Sequence, residues 1–150
     1  MTNIVGIKLD AVDTTPAFDV GTVGQADDGK RYKYIVYSEE AAATAGVAGE
    51  VAYYVAADTT GYTVTSDLSA SDEVGAGVLQ AALSDGQYGW VQVTGVATLS
   101  IELTAENDGA PYTPTGSADG SLDVTAAFTD SVCAYGLDTS ANIIMCAFPH

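Results

Sequence analysis

The sequence predicts an all-β fold: a single compact barrel or sandwich-like domain with one short helix and an extended N-terminal arm. Three observations point there. Val, Thr, Tyr and Ile are abundant and 16 glycines are spread along the chain, a mixture that suits pleated, half-buried strands joined by tight turns. Four Asp-Gly pairs, Asp28-Gly29, Asp85-Gly86, Asp108-Gly109 and Asp119-Gly120, sit between apolar stretches, where glycine supplies the positive φ of short hairpin turns. Several runs alternate with the two-residue period of a strand. At 150 residues and 47% hydrophobic composition, the chain is long enough to bury one sizeable core and too apolar for a disordered acidic tail.

Residues 1–24 (MTNIVGIKLDAVDTTPAFDVGTVG) hold isolated apolar pairs, Pro16 and no sustained period. They read as an arm that gains order against a partner, with an edge strand over residues 4–9 as the alternative. The β-rich body is expected at residues 25–150. Residues 31–37 (RYKYIVY) alternate sharply, placing Tyr32, Tyr34 and Val36 on one face and Lys33, Ile35 and Tyr37 on the other. Residues 38–46 combine a Ser cap, Glu39 and Glu40 at the positive helix end, an alanine run and a glycine stop, which predicts the short helix.

Strands are expected next at residues 50–56, 62–65 and 74–83. Residues 89–99 alternate throughout but are interrupted by Gly95, where a bulge or barrel corner would redirect the strand. Residues 105–120 are dense in Pro, Gly, Asp and Thr and read as an exposed loop. Residues 122–128, 132–137 and 142–148 look like a closing meander. Pairing of the last two around residues 138–141 would set Cys133 nearly opposite Cys146.

Charge narrows the functions. Twenty acids face four basic residues, Lys8, Lys30, Arg31 and Lys33, for a formal charge of -16. Too few cations are present to neutralise many phosphates, so direct nucleic-acid binding is not expected. No apolar run approaches the ~20 residues that cross a bilayer, so no membrane partner is expected either. The opening residues lack the basic start, apolar stretch and cleavage site of a secretory signal, which points to synthesis in a cytoplasm and to Cys133 and Cys146 as free buried thiols.

The residues offer little catalytic chemistry. His150 is the single histidine, so no Ser-His-acid or Cys-His arrangement has a rigid base. Nucleotide-binding glycine loops are missing in their strand-to-helix context. Twenty acids guarantee some chance carboxylate pair, and the segment Glu106-Asn107-Asp108-Gly109 lacks the spaced ligands of a calcium loop. No enzyme activity, cofactor or metal is therefore expected. Nine tyrosines and Trp90 suggest a sugar-binding surface, but most lie in strand patterns where aromatics build core walls and cross-strand pairs.

The run Asp28-Gly29-Lys30-Arg31-Tyr32-Lys33-Tyr34-Ile35-Val36, the alanine-rich segment ending in Gly46, and the run Gly86-Gln87-Tyr88-Gly89-Trp90-Val91-Gln92-Val93-Thr94-Gly95-Val96-Ala97 follow one another in this order. In that order the chain resembles small structural proteins of tailed-bacteriophage heads, the capsid decoration or cement proteins, over roughly residues 27–148. The resemblance implies a virion protein made in the host cytoplasm. It would sit as a homotrimer on the capsid exterior and stabilise the expanded shell by bridging major capsid protein subunits. Another virion component, such as a head-fibre base or tail adaptor, is the alternative, followed by a carbohydrate-binding module. Candidate capsid-binding residues are Ile4, Val5, Ile7, Leu9, Val12, Phe18 and Val20 of the arm and Tyr112 of the exposed loop. Tyr34, Trp90, Val91, Val93 and Gly95 are the expected scaffold.

Overall fold

A computed structural model describes residues 7–42 and 44–150. Six strands make the first sheet: β1 (Val23–Gln25), β2 (Arg31–Tyr37), β3 (Val51–Val55), β4 (Thr63–Thr65), β5 (Ser71–Leu79) and β6 (Tyr88–Gln92). Their order is β1-β2-β4-β3-β5-β6, and a further pairing of β2 with β6 closes five of them into a barrel, with β1 laid beside β2. The β2–β4 pairing is parallel, through Val36↔Thr63 and Tyr37↔Val64, and the others are antiparallel. A second sheet, ordered β7-β11-β10-β8-β9, is built from β7 (Thr94–Thr98), β8 (Pro111–Thr113), β9 (Asp123–Val124), β10 (Ala134–Asp138) and β11 (Ile143–Ala147).

The alternation of β2 sorts its side chains as expected, but both faces are covered. Ile35 and Tyr37 enter the main core, while Tyr32 and Tyr34 join Trp90 in a smaller cluster on the other side. The main core is one continuous set of contacts. It holds Val51, Tyr53, Val64 and Val91 from the barrel together with Ala97, Tyr112, Ile144 and Cys146 from the second sheet. Apolar burial thus welds the two sheets into one body.

The chain passes between the sheets at a single buried residue, Val93, since β6 ends at Gln92 and β7 starts at Thr94. Gly95, two residues on, has φ +90, and a Cβ there would come within 2.8 Å of Lys30 Cγ. Both the left-handed backbone and the close approach require glycine.

Three expectations differ from the structure. Among the described residues, the predicted helix over residues 38–46 is reduced to one 3-10 turn at Glu40–Ala42. Glu40 takes a left-handed φ of +50, and the backbone of Gly46 is drawn into an extended bridge with Leu83, through bonds of 2.8 and 3.1 Å. The segment 105–120, read as an exposed loop, contains β8, and Ala110, Tyr112 and Thr113 within it are buried. The closing hairpin forms as expected, with Ala134 opposite Cys146 and the turn at Thr139–Ala141. The first of the three meander strands shrinks to the two residues of β9.

The turn after β3 is organised by Asp58, whose carboxylate accepts the backbone N–H groups of Thr60, Tyr62 and Thr63 and the Thr60 hydroxyl. Its partial burial would raise the pKa, but these hydrogen bonds outweigh it and hold the group at about 2, against 3.8 ordinarily. A lowered folded pKa means stability that is present above about pH 4 and lost as pH falls towards 2. Asp58→Asn should therefore cost up to about 1 kcal/mol at pH 7, given the solvent screening of this exposed turn. Urea midpoints of native and variant should converge near pH 2.

Both cysteines are free and buried. Burial pushes the Cys133 thiol well up and, despite the opposing charge of Lys30, holds Cys146 at about 12. Thiolate is the reactive form, so a thiol reagent at pH 8 should label neither cysteine in the native state and both after denaturation. Rapid labelling of the native protein would show that the β10–β11 hairpin does not close over the core.

Candidate interaction surface

Among the described residues, three of the five expected to project from the N-terminal arm are instead laid on the barrel. Ile4 and Val5 lie outside the described residues. Ile7, Leu9 and Phe18 pack against the cluster of Tyr32, Tyr34 and Trp90, with the Phe18 ring edge-on to Tyr34 at 5.5 Å and to Trp90 at 5.3 Å. Backbone bonds join Asp13 to Tyr88 in both directions, at 3.0 and 2.9 Å. The Tyr34 hydroxyl donates to Asp13 Oδ2 at 2.6 Å and accepts from the Ala17 N–H at 3.1 Å. Burial first, and then the Asp13 bond, push the Tyr34 phenol up to about 12. Val20 is half-buried, Val12 is exposed, and β1 already begins at Val23.

The reason is the outer face of β2 and β6. Their register sets Tyr34 against Trp90 and Val36 against Tyr88, which leaves an aromatic shelf on the outside of a barrel whose inside is already full. Covering that shelf removes more apolar surface from water than an arm in solvent would. Replacing Phe18 with Ala should lower stability by about 2 kcal/mol, from partial burial plus the two edge-to-face contacts. Trp90 emission should shift to the red. An unchanged spectrum would mean that the segment does not rest on Trp90 in solution.

Tyr112 is also corrected. It is fully buried on β8, donating its hydroxyl to Ala105 O at 2.8 Å and accepting from the Asn107 N–H at 3.0 Å. It pins the Pro- and Gly-rich segment to the core and is not a free contact residue. Of the scaffold residues, Tyr34, Trp90, Val91 and Val93 are buried, and Gly95 stands at the crossing between sheets. The other tyrosines are largely used in packing. Tyr32, Tyr37 and Tyr53 are buried, and Tyr54 and Tyr62 flank Lys33 Nζ at 5.0 and 5.8 Å from their ring centroids. Tyr62 and Tyr135 are the tyrosines left exposed.

The surface that stands out belongs to the second sheet. Its inner residues Ala97, Ala134, Ile144 and Cys146 are buried, and the alternate residues face outward. The register aligns Pro111, Tyr135, Met145 and Val96 in one row across β8, β10, β11 and β7, with Leu137 also exposed on β10. Nine large hydrophobics are exposed among the described residues, and six of them, Val96, Phe128, Val132, Tyr135, Leu137 and Met145, lie on this sheet or in its β9–β10 connection. Such clustering makes this sheet the candidate interaction surface, since exposed apolar residues scattered singly need no explanation. Every charged side chain between residues 94 and 147 is an acid, and none falls in the row itself.

A groove of about 620 Å³ runs along the free edge of β7. Its floor includes Val78, Leu79, Ala97 and Leu99, with Gln80, Gln92, Thr98 and Ser100 along it and Lys30 as its one ionisable side chain. The Gln92 amide donates to the carbonyls of Thr94 and Val96, both at 3.0 Å, which blunts that edge against strand addition. One cation without a second titrating group offers no acid–base pair. Among the described residues, no group of three or more His, Cys, Asp or Glu side chains converges on a metal position. Likewise, no helix there is long and apolar enough to cross a membrane.

No family model, curated protein or solved structure matches the chain. Sequence alone does not mark the apolar row. Its signal was present in the alternation of Ala134-Tyr135-Gly136-Leu137 and Ile144-Met145-Cys146, but which set faces out depends on what the sheet covers.

Proposed function

We propose that this chain is a structural virion protein that binds the outer surface of a phage capsid and stabilises the expanded shell by bridging neighbouring major capsid subunits. The observation that carries the reading is the uncharged apolar row of Pro111, Tyr135, Met145 and Val96 on a body of net charge -16. Acids elsewhere keep the free protein soluble, while the row gives a patch able to lose water against another protein. Adhesion of this kind needs no catalyst, cofactor or metal. The protein is proposed to act as a homotrimer on the capsid exterior, so that each weak contact is repeated and reinforced through effective concentration. Nucleic acid and membrane are not partners in this reading.

The test is co-sedimentation of the purified chain with DNA-filled, expanded heads that lack it. The native chain should travel with the heads and delay their thermal rupture. Met145→Asp should stay folded, losing at most about 1 kcal/mol of cross-strand contact, and bind at least about ten-fold more weakly, as expected when a charge enters a desolvated contact. Native chain that stays in the supernatant, or that is found only with tails, would overturn the reading.

A further inference from the structure

The connection from β9 to β10 holds Phe128 at 102% exposure, the full extent of an unshielded side chain. The segment that presents it is tied down. Asp130 Oδ2 accepts the N–H groups of Ala126 and Ala127, both at 2.9 Å, and the Asp130 N–H donates to the Ala127 carbonyl at 3.1 Å. Entry and exit are held to β8 by Thr125 N–H to Pro111 O at 3.1 Å and Cys133 N–H to Tyr112 O at 3.0 Å. A large apolar ring on a turn ordered in advance is the form of an interface anchor, because little freedom remains to be lost on binding. The turn's charged neighbours, Asp123 and Asp130, are both acids.

The opposite edge of the same sheet carries the complement. In the order β7-β11-β10-β8-β9, the knob follows β9 and the 620 Å³ groove borders β7. The groove has ample volume for a phenyl ring and Lys30 in its lining; what it exposes is more polar than apolar, with the buried side chains of Val78, Leu79, Ala97 and Leu99 behind it. Acid beside the knob and base beside the hole match.

We infer that Phe128 of one copy inserts into the Lys30–Leu79–Thr98 groove of a second copy, joining the β9 edge of one sheet to the β7 edge of the next. Knob and hole are different surfaces, so the contact is head-to-tail, and repetition closes a ring when the rotation per step permits. This deepens the capsid reading by naming the self-contact of its homo-oligomer, and it leaves Pro111, Tyr135 and Met145 of the apolar row for the shell, while Val96 lines the groove as well. The contact forms without heads, so its failure and the failure of that reading are separable.

The experiment is light scattering on eluting native chain, Phe128→Ala, Thr98→Trp and an equal mixture of the two variants, at physiological salt. Phe128 is fully exposed and Thr98 is an exposed groove residue, so both variants should melt with the native protein. Native chain should elute as a closed oligomer and each variant alone as a monomer. The mixture should give dimers and nothing larger, since one intact knob meets one intact groove per pair. A monomeric native chain, an unchanged mass for Phe128→Ala, or a mixture that stays monomeric would each overturn the contact. So would loss of head binding by Phe128→Ala with its mass unchanged, which would assign the knob to a different protein.

Discussion

Pairing of β2 with β6 sets Tyr34 against Trp90 and closes five strands into a barrel, and the rest of the molecule is arranged around that closure. Closing the ring gives its strands partners on both sides, which removes exposed edges from the most apolar part of the chain. It also splits the aromatic residues between two environments. Those pointing in share a core with the second sheet, and those pointing out form a shelf that the segment from Ile7 to Phe18 covers. With the barrel filled and the shelf covered, the second sheet is left with one face inward and one face bare.

In the proposed reading the bare face meets the shell while the knob and the groove meet another copy, with Val96 common to the row and the groove. A formal charge of -16 forbids broad, indiscriminate contact, because acidic surfaces approaching within a screening length of about 8 Å repel one another. On the proposed reading, attachment would be confined to places where acids are absent or where the scarce cations stand. The row of Pro111, Tyr135, Met145 and Val96 is the first kind, and the groove beside Lys30 is the second. Lys33 is withdrawn from this role. It is buried, donating from Nζ to Tyr54 Oη and Gly61 O, both at 2.9 Å.

The N-terminal segment illustrates how burial overrides an open pattern. Its lack of period reads as an arm in search of a partner, and the barrel itself supplies one. Asp13 bonds the Tyr34 hydroxyl and bridges the Tyr88 backbone, while Phe18 meets Tyr34 and Trp90. These are contacts between residues far apart in sequence, of a kind that periodicity cannot register.

Local chemistry was legible from the sequence alone. The β class, the strand at residues 31–37, the hairpin that brings Cys133 near Cys146, and the redirection beside Gly95 all follow from two-residue alternation and from the backbone freedom of glycine, which act within a few residues. Tertiary structure decided what those local rules leave open. It turned Tyr112 from loop to core, left the described part of the alanine segment with a single turn, laid residues 7–18 on the barrel, and chose which face of the second sheet meets solvent. Each of these outcomes is set by the apolar area that a distant segment offers to bury, and that area exists only once the barrel has closed.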